Sequence, residues 1–283
     1  MAEPLTPGQS TPGPATAGRS THRRGRLAAA VGAAAVVAAV IAVLAVTLFS
    51  SSPTPVVAAV EPTTTVPATT TTAPPPPPSP VAASTTIAQV SGPIPFFSAP
   101  DGPQAGTIPV DSWWGTVKYL PVIGQAPGWL NVRLPQRPNG LTGWIPAASA
   151  QLSTTTYGIL IDVNARRVRL YHAGVVVADF PAGVGTATDP TPLGQYYVMV
   201  IEKSEGPNWG PFILGTNAHS EVITSWEGSG DAFTALHGPV SADADAAIGT
   251  TGAAISHGCV RMHNDDLAQL EPVPPGAPIA IVA

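Results

Sequence analysis

Ile159-Leu160-Ile161-Asp162-Val163-Asn164-Ala165-Arg166-Arg167-Val168-Arg169-Leu170-Tyr171 is the stretch from which the fold is read. Ile159, Ile161 and Val163 alternate with Leu160 and Asp162, and Val168 and Leu170 alternate between Arg167, Arg169 and Tyr171. A period of two marks a strand, because successive side chains point to opposite faces of a pleated chain. Asn164-Ala165 between the two runs supports a hairpin. The same texture continues downstream, where Val175–Phe180, Gln195–Ile201, Phe212–Leu214, Glu221–Ser225, Ala232–His237 and Pro278–Val282 are predicted strands. Helical signals are few. Asn264 can cap a helix running to Leu270 with Asp265 and Asp266 in its first turn, and Ser241–Ile248 is a weaker candidate. Residues 154–283 are therefore expected to form one mainly β domain, a sandwich or barrel with minor helix, long enough to close its own core.

Upstream, residues 87–153 read as a small all-β module. Short apolar runs at Ile94–Phe97, Val117–Tyr119, Trp129–Leu134 and Trp144–Ile145 alternate with the turn signals Asp101-Gly102, Pro127-Gly128 and Asn139-Gly140. Four tryptophans, Trp113, Trp114, Trp129 and Trp144, fall in this module and are expected in its core. The segment from Gly128-Trp129 to Gly143-Trp144-Ile145 resembles the closing strands of bacterial SH3-like domains. Residues 50–86, with the Pro74–Pro78 run, carry few large apolar side chains and read as an extended linker. Residues 27–49 are apolar apart from Thr47 and long enough for a transmembrane anchor. Residues 1–26 carry Arg19, Arg23, Arg24 and Arg26 against Glu3 alone, which places them as a disordered cytoplasmic tail with the remaining chain outside the membrane.

Of 12 Lys plus Arg and 17 Asp plus Glu, those four arginines and one acid are used up before the anchor, leaving acids in excess over the rest of the chain. Nucleic acid binding needs clustered cations, and no cluster is present, so no nucleic acid partner is expected. The chain has a single cysteine, Cys259, so its domains cannot be held by internal disulfides. An unpaired thiol in an exported protein is a candidate reactive group.

Cys259 lies in Ser256-His257-Gly258-Cys259-Val260-Arg261, with His237-Gly238 upstream. Cysteine acyl transfer needs a thiolate, an imidazole to move the proton and donors for a developing oxyanion. Cys259 supplies the sulfur, and His237 and His257 are candidates for the base. Gly258 lets the backbone approach a substrate carbonyl, and the N–H groups of Gly258 and Cys259 are candidate oxyanion donors. A zinc site built from His237, His257, Cys259 and His263 is a rival arrangement, although it lacks an H-E-x-x-H-type base. His219 and His263 are expected at the surface, and Met262, Tyr196 and Tyr197 in the core.

His237-Gly238 followed by Ser256-His257-Gly258-Cys259-Val260-Arg261, together with Thr191-Pro192-Leu193-Gly194 upstream, resembles the signature of L,D-transpeptidases with a YkuD-type catalytic domain. The resemblance implies a cell-wall enzyme acting on peptidoglycan stem peptides as donor and acceptor, without a cofactor or metal, and acylated by carbapenem β-lactams. It implies Cys259 as nucleophile, His237 as general base, the Gly238 carbonyl as orienter of that ring, and His257 beside the nucleophile, held by Ser256. Arg261 is left open between meeting a substrate carboxylate and ordering the loop. The expected product is a 3→3 cross-link with release of D-Ala. L,D-carboxypeptidase action, protein attachment to the wall, and a non-catalytic wall-binding role are the alternatives.

Overall fold

The computed structural model describes residues 81–109, 117–204, 208–226, 228–250 and 253–283. The predicted tail 1–26, the apolar span 27–49, residues 50–80 of the linker, and Trp113 and Trp114 lie outside the described residues. Among the described residues no helix is long and apolar enough to cross a membrane.

The first sheet is antiparallel and has seven strands: β1 (Thr85–Ser91), β2 (Ile94–Phe97), β3 (Gln104–Ile108), β4 (Val117–Ala126), β5 (Trp129–Arg133), β6 (Thr142–Pro146) and β7 (Gln151–Thr155). Their spatial order is β3-β2-β6-β5-β4-β1-β7. The predicted turns fall between strands, but the linker stops earlier than its composition suggested. β1 already begins at Thr85, and Val81 is buried against Leu160, Tyr171 and Ala280. β1 and β7 were hidden in Thr- and Ser-rich sequence. Thr is β-branched and suits a strand, and β7, at the edge of the sheet, leaves Gln151 to Thr154 exposed.

The second sheet carries the longer strands: β8 (Tyr157–Asp162), β9 (Arg167–His172), β10 (Val175–Pro181), β12 (Gly194–Lys203), β13 (Phe212–His219), β14 (Phe233–His237), β16 (Val260–Arg261) and β17 (Pro278–Val282). A short parallel pair, β11 (Val184–Gly185) with β15 (Ala254–Ser256), lies beside it. The order of the large sheet is β10-β9-β8-β17-β12-β13-β14-β16, with parallel pairing at β8/β17 and β14/β16. The opening hairpin forms in the register its pattern implies, Ile159 facing Leu170 and Ile161 facing Val168. Asp162 closes its turn by accepting the Ala165 N–H at 2.8 Å.

One face of this sheet packs Ile159, Ile161, Val168, Leu170, Tyr196 and Leu236 into a core with Leu267 and Leu270. Each such aliphatic side chain, fully buried, contributes about 1.5–3 kcal/mol. The other face meets the first sheet. Tyr196 and Tyr197 are successive residues of β12, so they point to opposite sides, and Tyr197 joins Val90, Leu120, Leu130 and Ile145 in a second core. Asn217 ties the layers together, accepting the Tyr197 N–H at 2.8 Å and donating to the Leu134 carbonyl at 3.2 Å. The two β modules thus share hydrophobic core rather than being independent beads.

Three expectations are corrected. Glu221–Ser225 is an irregular connection, in which the Ser220 hydroxyl accepts the Ile223 N–H at 3.0 Å and Val222 is exposed. The last helix, α2 (Asn264–Ala268), takes Asn264 as its first residue; His263 occupies the cap position without a side-chain bond. The helix judged weaker, α1 (Ala242–Ala247), is the properly capped one, Ser241 Oγ accepting the Ala244 N–H at 3.1 Å.

Candidate active site

The site forms where β14 and β16 run side by side. Leu236 is opposite Val260 and His237 opposite Arg261, so Cys259, one residue before β16, lies alongside Ala235. Side chains two residues apart share a face. Ala235 and His237 on one strand and Cys259 and Arg261 on the other therefore line one pocket, which Trp209, Trp226 and His257 complete. Ala235 contributes almost no bulk beside the sulfur, and Cys259 stays half-buried at the pocket wall.

Local hydrogen bonds hold the turn that presents the sulfur. Ser256 Oγ accepts the Gly258 N–H at 3.1 Å and donates to the Cys259 carbonyl at 2.5 Å. Thr191 Oγ1 donates to the Gly258 carbonyl at 2.9 Å and accepts the Gly185 N–H at 2.9 Å, so the Thr-Pro-Leu-Gly turn braces the nucleophile loop from outside. Gly258 has φ +115°, a backbone conformation that residues with a side chain rarely adopt. A Cβ there would come no closer than 3.4 Å to the Pro190 carbonyl oxygen, so the constraint is the backbone and not space. Gly258→Ala is expected to cost about 1–3 kcal/mol of stability through strain alone. Its acylation rate, measured by mass spectrometry, should fall as the sulfur is displaced; a variant of parental stability and rate would show that the turn tolerates a side chain.

Ser256 and Gly258 thus act differently from expectation. Ser256 holds the turn backbone instead of His257, which is exposed and lies 5.8 Å, centroid to centroid, from the Trp226 ring. The Gly258 N–H already bonds to Ser256, so it is not available as an oxyanion donor; a hydrogen already given to a hydroxyl cannot also meet a substrate oxygen well.

His237 is buried, and its Nδ1 lies 2.6 Å from the Gly238 carbonyl oxygen. A carbonyl only accepts, so Nδ1 carries the proton and a neutral ring leaves Nε2 free to take one. Trp209 covers the ring at a centroid distance of 4.4 Å, and its carbonyl accepts the Gly238 N–H at 2.7 Å. Gly238 must be glycine for packing reasons, since a Cβ there would collide with the Asn264 side-chain oxygen and the Gly210 backbone.

Burial lowers the His237 pKa to about 4, against the opposing pull of the Gly238 carbonyl and with help from the Arg261 charge. Burial pushes the Cys259 thiol up, and a hydrogen bond from the Ala235 backbone and the Arg261 guanidinium offset only part of this. Both shifts favour uncharged groups. Together they weigh against an ion pair between the Cys259 thiol and the His237 imidazole. Burial also lowers Arg261, while the nearby sulfur raises it again. The Arg261 Nε is buried without a hydrogen-bond partner, although its backbone exchanges two 2.8 Å hydrogen bonds with Gly183.

The rival zinc set does not converge. His263 turns away to Asp245 at 2.7 Å, and among the described residues no three His, Cys, Asp or Glu side chains gather. His219, expected at the surface, is buried; its Nδ1 is 2.9 Å from Asp231 and its Nε2 2.9 Å from the Pro135 carbonyl. Met262, Tyr196 and Tyr197 are core residues, as read. Sequence reasoning missed Trp209 and Trp226. Both lie outside strand periodicity, in connections rich in Gly, Pro and Ser, and a tryptophan so placed is a signal for a ligand wall.

The pocket thus gathers a thiol, an imidazole oriented by a carbonyl, and a guanidinium whose Nε lacks a partner, the kinds of group that cysteine acyl transfer uses. Residues 156–281 match the L,D-transpeptidase catalytic domain, YkuD. A Bacillus licheniformis protein named as an L,D-transpeptidase, YkuD, is 27% identical over 122 residues, covering 43% of this chain and 62% of the relative. The Salmonella typhimurium protein ErfK/SrfK, also named as an L,D-transpeptidase, is 30% identical over 194 residues, covering 64% of this chain and 61% of the relative. The chain thus spans about six-tenths of the length of these curated relatives. A solved structure of LD transpeptidase LdtMt1 in complex with imipenem aligns at 19% identity over 71% of this chain and 82% of that one, with a TM-score of 0.35.

Proposed function

We propose that the chain is a peptidoglycan L,D-transpeptidase that works through an acyl-thioester on Cys259. The observation that carries this reading is the buried His237, oriented by the Gly238 carbonyl, in the same pocket as the chain's single thiol. As Cys259 attacks the carbonyl between the diamino acid at stem position three and D-Ala at position four, His237 Nε2 takes the thiol proton. The developing oxyanion has the Cys259 N–H as its donor, given that the Gly258 N–H is engaged. His237 returns the proton to the departing amine, D-Ala leaves, and the acyl group stays on sulfur. The side-chain amine of a second stem then attacks the thioester while His237 takes its proton, which forms the 3→3 link and restores the thiol. Arg261, whose Nε lacks a protein partner, is the group that meets an anionic or carbonyl oxygen of the substrate.

The apolar run 27–49 supports a membrane anchor with the catalytic domain extracytoplasmic, and the β4–β5–β6 meander supports an SH3-like reading of the first module. The deciding experiment incubates the protein with disaccharide-tetrapeptide and weighs the products. A dimer lacking one D-Ala is expected. Tripeptide alone indicates hydrolysis and hence a carboxypeptidase, and unchanged tetrapeptide with no adduct on Cys259 after imipenem removes the enzymatic reading.

A further inference from the structure

The pocket wall that carries Trp226 is held by the other β module. Arg137, in the β5–β6 connection, donates from Nε at 3.0 Å and from Nη2 at 2.8 Å to Asp231 Oδ1, and from Nη2 at 2.8 Å to the Ser220 carbonyl. Asn139, two residues on, donates to the His219 carbonyl at 2.8 Å and accepts the His219 N–H at 2.9 Å. His219 in turn bridges Asp231 and the Pro135 carbonyl. Asp231 is thus held from three sides, because Oδ1 also accepts the Ala232 N–H at 2.8 Å.

What Asp231 holds is the tryptophan. The Trp226 N–H donates to the Asp231 carbonyl at 2.9 Å, and the Trp226 carbonyl accepts the Ser229 N–H at 3.0 Å. The Trp226 ring faces His257, two residues from the nucleophile, and both rings line the pocket. Hydrogen bonds therefore run from Arg137 through Asp231 to the Trp226 backbone, and the Trp226 ring lies 5.8 Å, centroid to centroid, from that of His257. Ile223, also in the wall, hangs from Ser220, whose carbonyl is the second Arg137 acceptor. The connection between β13 and β14 is irregular, and Trp226 is 40% exposed. A planar guanidinium reaching a carboxylate and a carbonyl at once defines a geometry that a point-charge ammonium does not reproduce.

We infer that Arg137 is a positioning residue for the pocket: the first β module sets the Trp226 wall beside His257 and Cys259, and so governs how the site grips its stem-peptide substrate. The grip on substrate rests on the transpeptidase reading above, whereas the setting of Trp226 does not. The contacts lie in the wall and not in the reacting groups, so loss of Arg137 should act on KM and leave kcat nearly alone.

The test uses the full chain with isotope-labelled histidine, comparing the parent with Arg137→Ala, Arg137→Lys and Trp226→Ala. The ring current of Trp226 marks the His257 imidazole resonance, and Trp226→Ala gives the value without it. In Arg137→Ala the His257 signal is expected to move most of the way to that value. KM for the disaccharide-tetrapeptide should rise about 5- to 10-fold with kcat within about twofold, the scale of one or two lost hydrogen bonds. Arg137→Lys should recover less than half of either change. An unmoved His257 signal in Arg137→Ala overturns the proposal, whatever happens to the melting temperature, because a purely structural ion pair lowers stability without displacing Trp226. A displaced signal with unchanged KM overturns its substrate half. If tetrapeptide is not turned over by the parent, the transpeptidase reading fails by itself and the His257 signal still decides the positioning role.

Discussion

Cys259→Ala is expected to lose both tetrapeptide turnover and imipenem acylation, by a factor on the order of 10⁴–10⁶ for removal of a nucleophile. No other sulfur nucleophile can substitute, because the chain has one cysteine. That count also makes the measurement clean: any mass added to the intact protein by a thiol-directed reagent reports on Cys259 alone. The fold should survive, since the sulfur is half-buried beside Ala235 at a pocket wall and deleting one such atom removes little packing. The melting temperature is therefore expected to stay within a few degrees of the parent's while activity vanishes. Cys259→Ser should be nearly as inactive, because a hydroxyl flanked by a neutral imidazole is a far weaker nucleophile than a thiol. Parental turnover by Cys259→Ala would transfer the chemistry to a different group and end the acyl-enzyme account.

Much of this arrangement was legible in the chain because it is local. The Ile159–Tyr171 hairpin declares itself by period two, and the paired tyrosines of β12 announce a sheet with apolar material on both faces. The Ser256-His257-Gly258-Cys259 turn is largely local: its two Ser256 hydroxyl bonds span three residues or fewer, whereas Thr191 and the Thr186 N–H on the Ser256 carbonyl reach it from afar. What stayed hidden depends on distant partners. His219 looks like a polar residue bound for solvent until Pro135 and Asn139 arrive from 84 and 80 residues upstream. β1 buries only Ile87, Ala88 and Val90 amid Thr, Gln and Ser, and β7 buries Thr155 alone, so neither shows a strong hydrophobic pattern. The protonation state of the site is equally non-local. A cysteine near a histidine suggests an ion pair, but desolvation by Trp209 and the surrounding walls is a property of the folded pocket, and no local motif encodes it.

That protonation state leads to the second large effect. His237→Ala should slow acylation by about 10²–10⁴-fold, the usual worth of a positioned general base. The parent's acylation rate should rise as pH increases through about 4, where His237 loses its proton and becomes able to accept one. It should then stay level through neutrality, since the base is already fully available there. The direction follows from the shift: the folded ring binds its proton more weakly than a free imidazole, whose pKa is about 6.5, so the neutral form persists into acid down to about 4. An ion-pair resting state makes a different prediction for the sulfur. It requires thiolate absorbance in the ultraviolet already at neutral pH, lost only in acid. The neutral pair requires that this absorbance be absent at pH 7 and grow in only above the ordinary thiol range of about 8.5. Burial raises the Cys259 thiol whether or not His237 is charged, so His237→Ala should leave that alkaline titration largely in place while abolishing the acid limb of the rate. A thiolate signal at pH 7 that disappears in His237→Ala would restore the ion pair and assign His237 the role of a charge partner instead of a base.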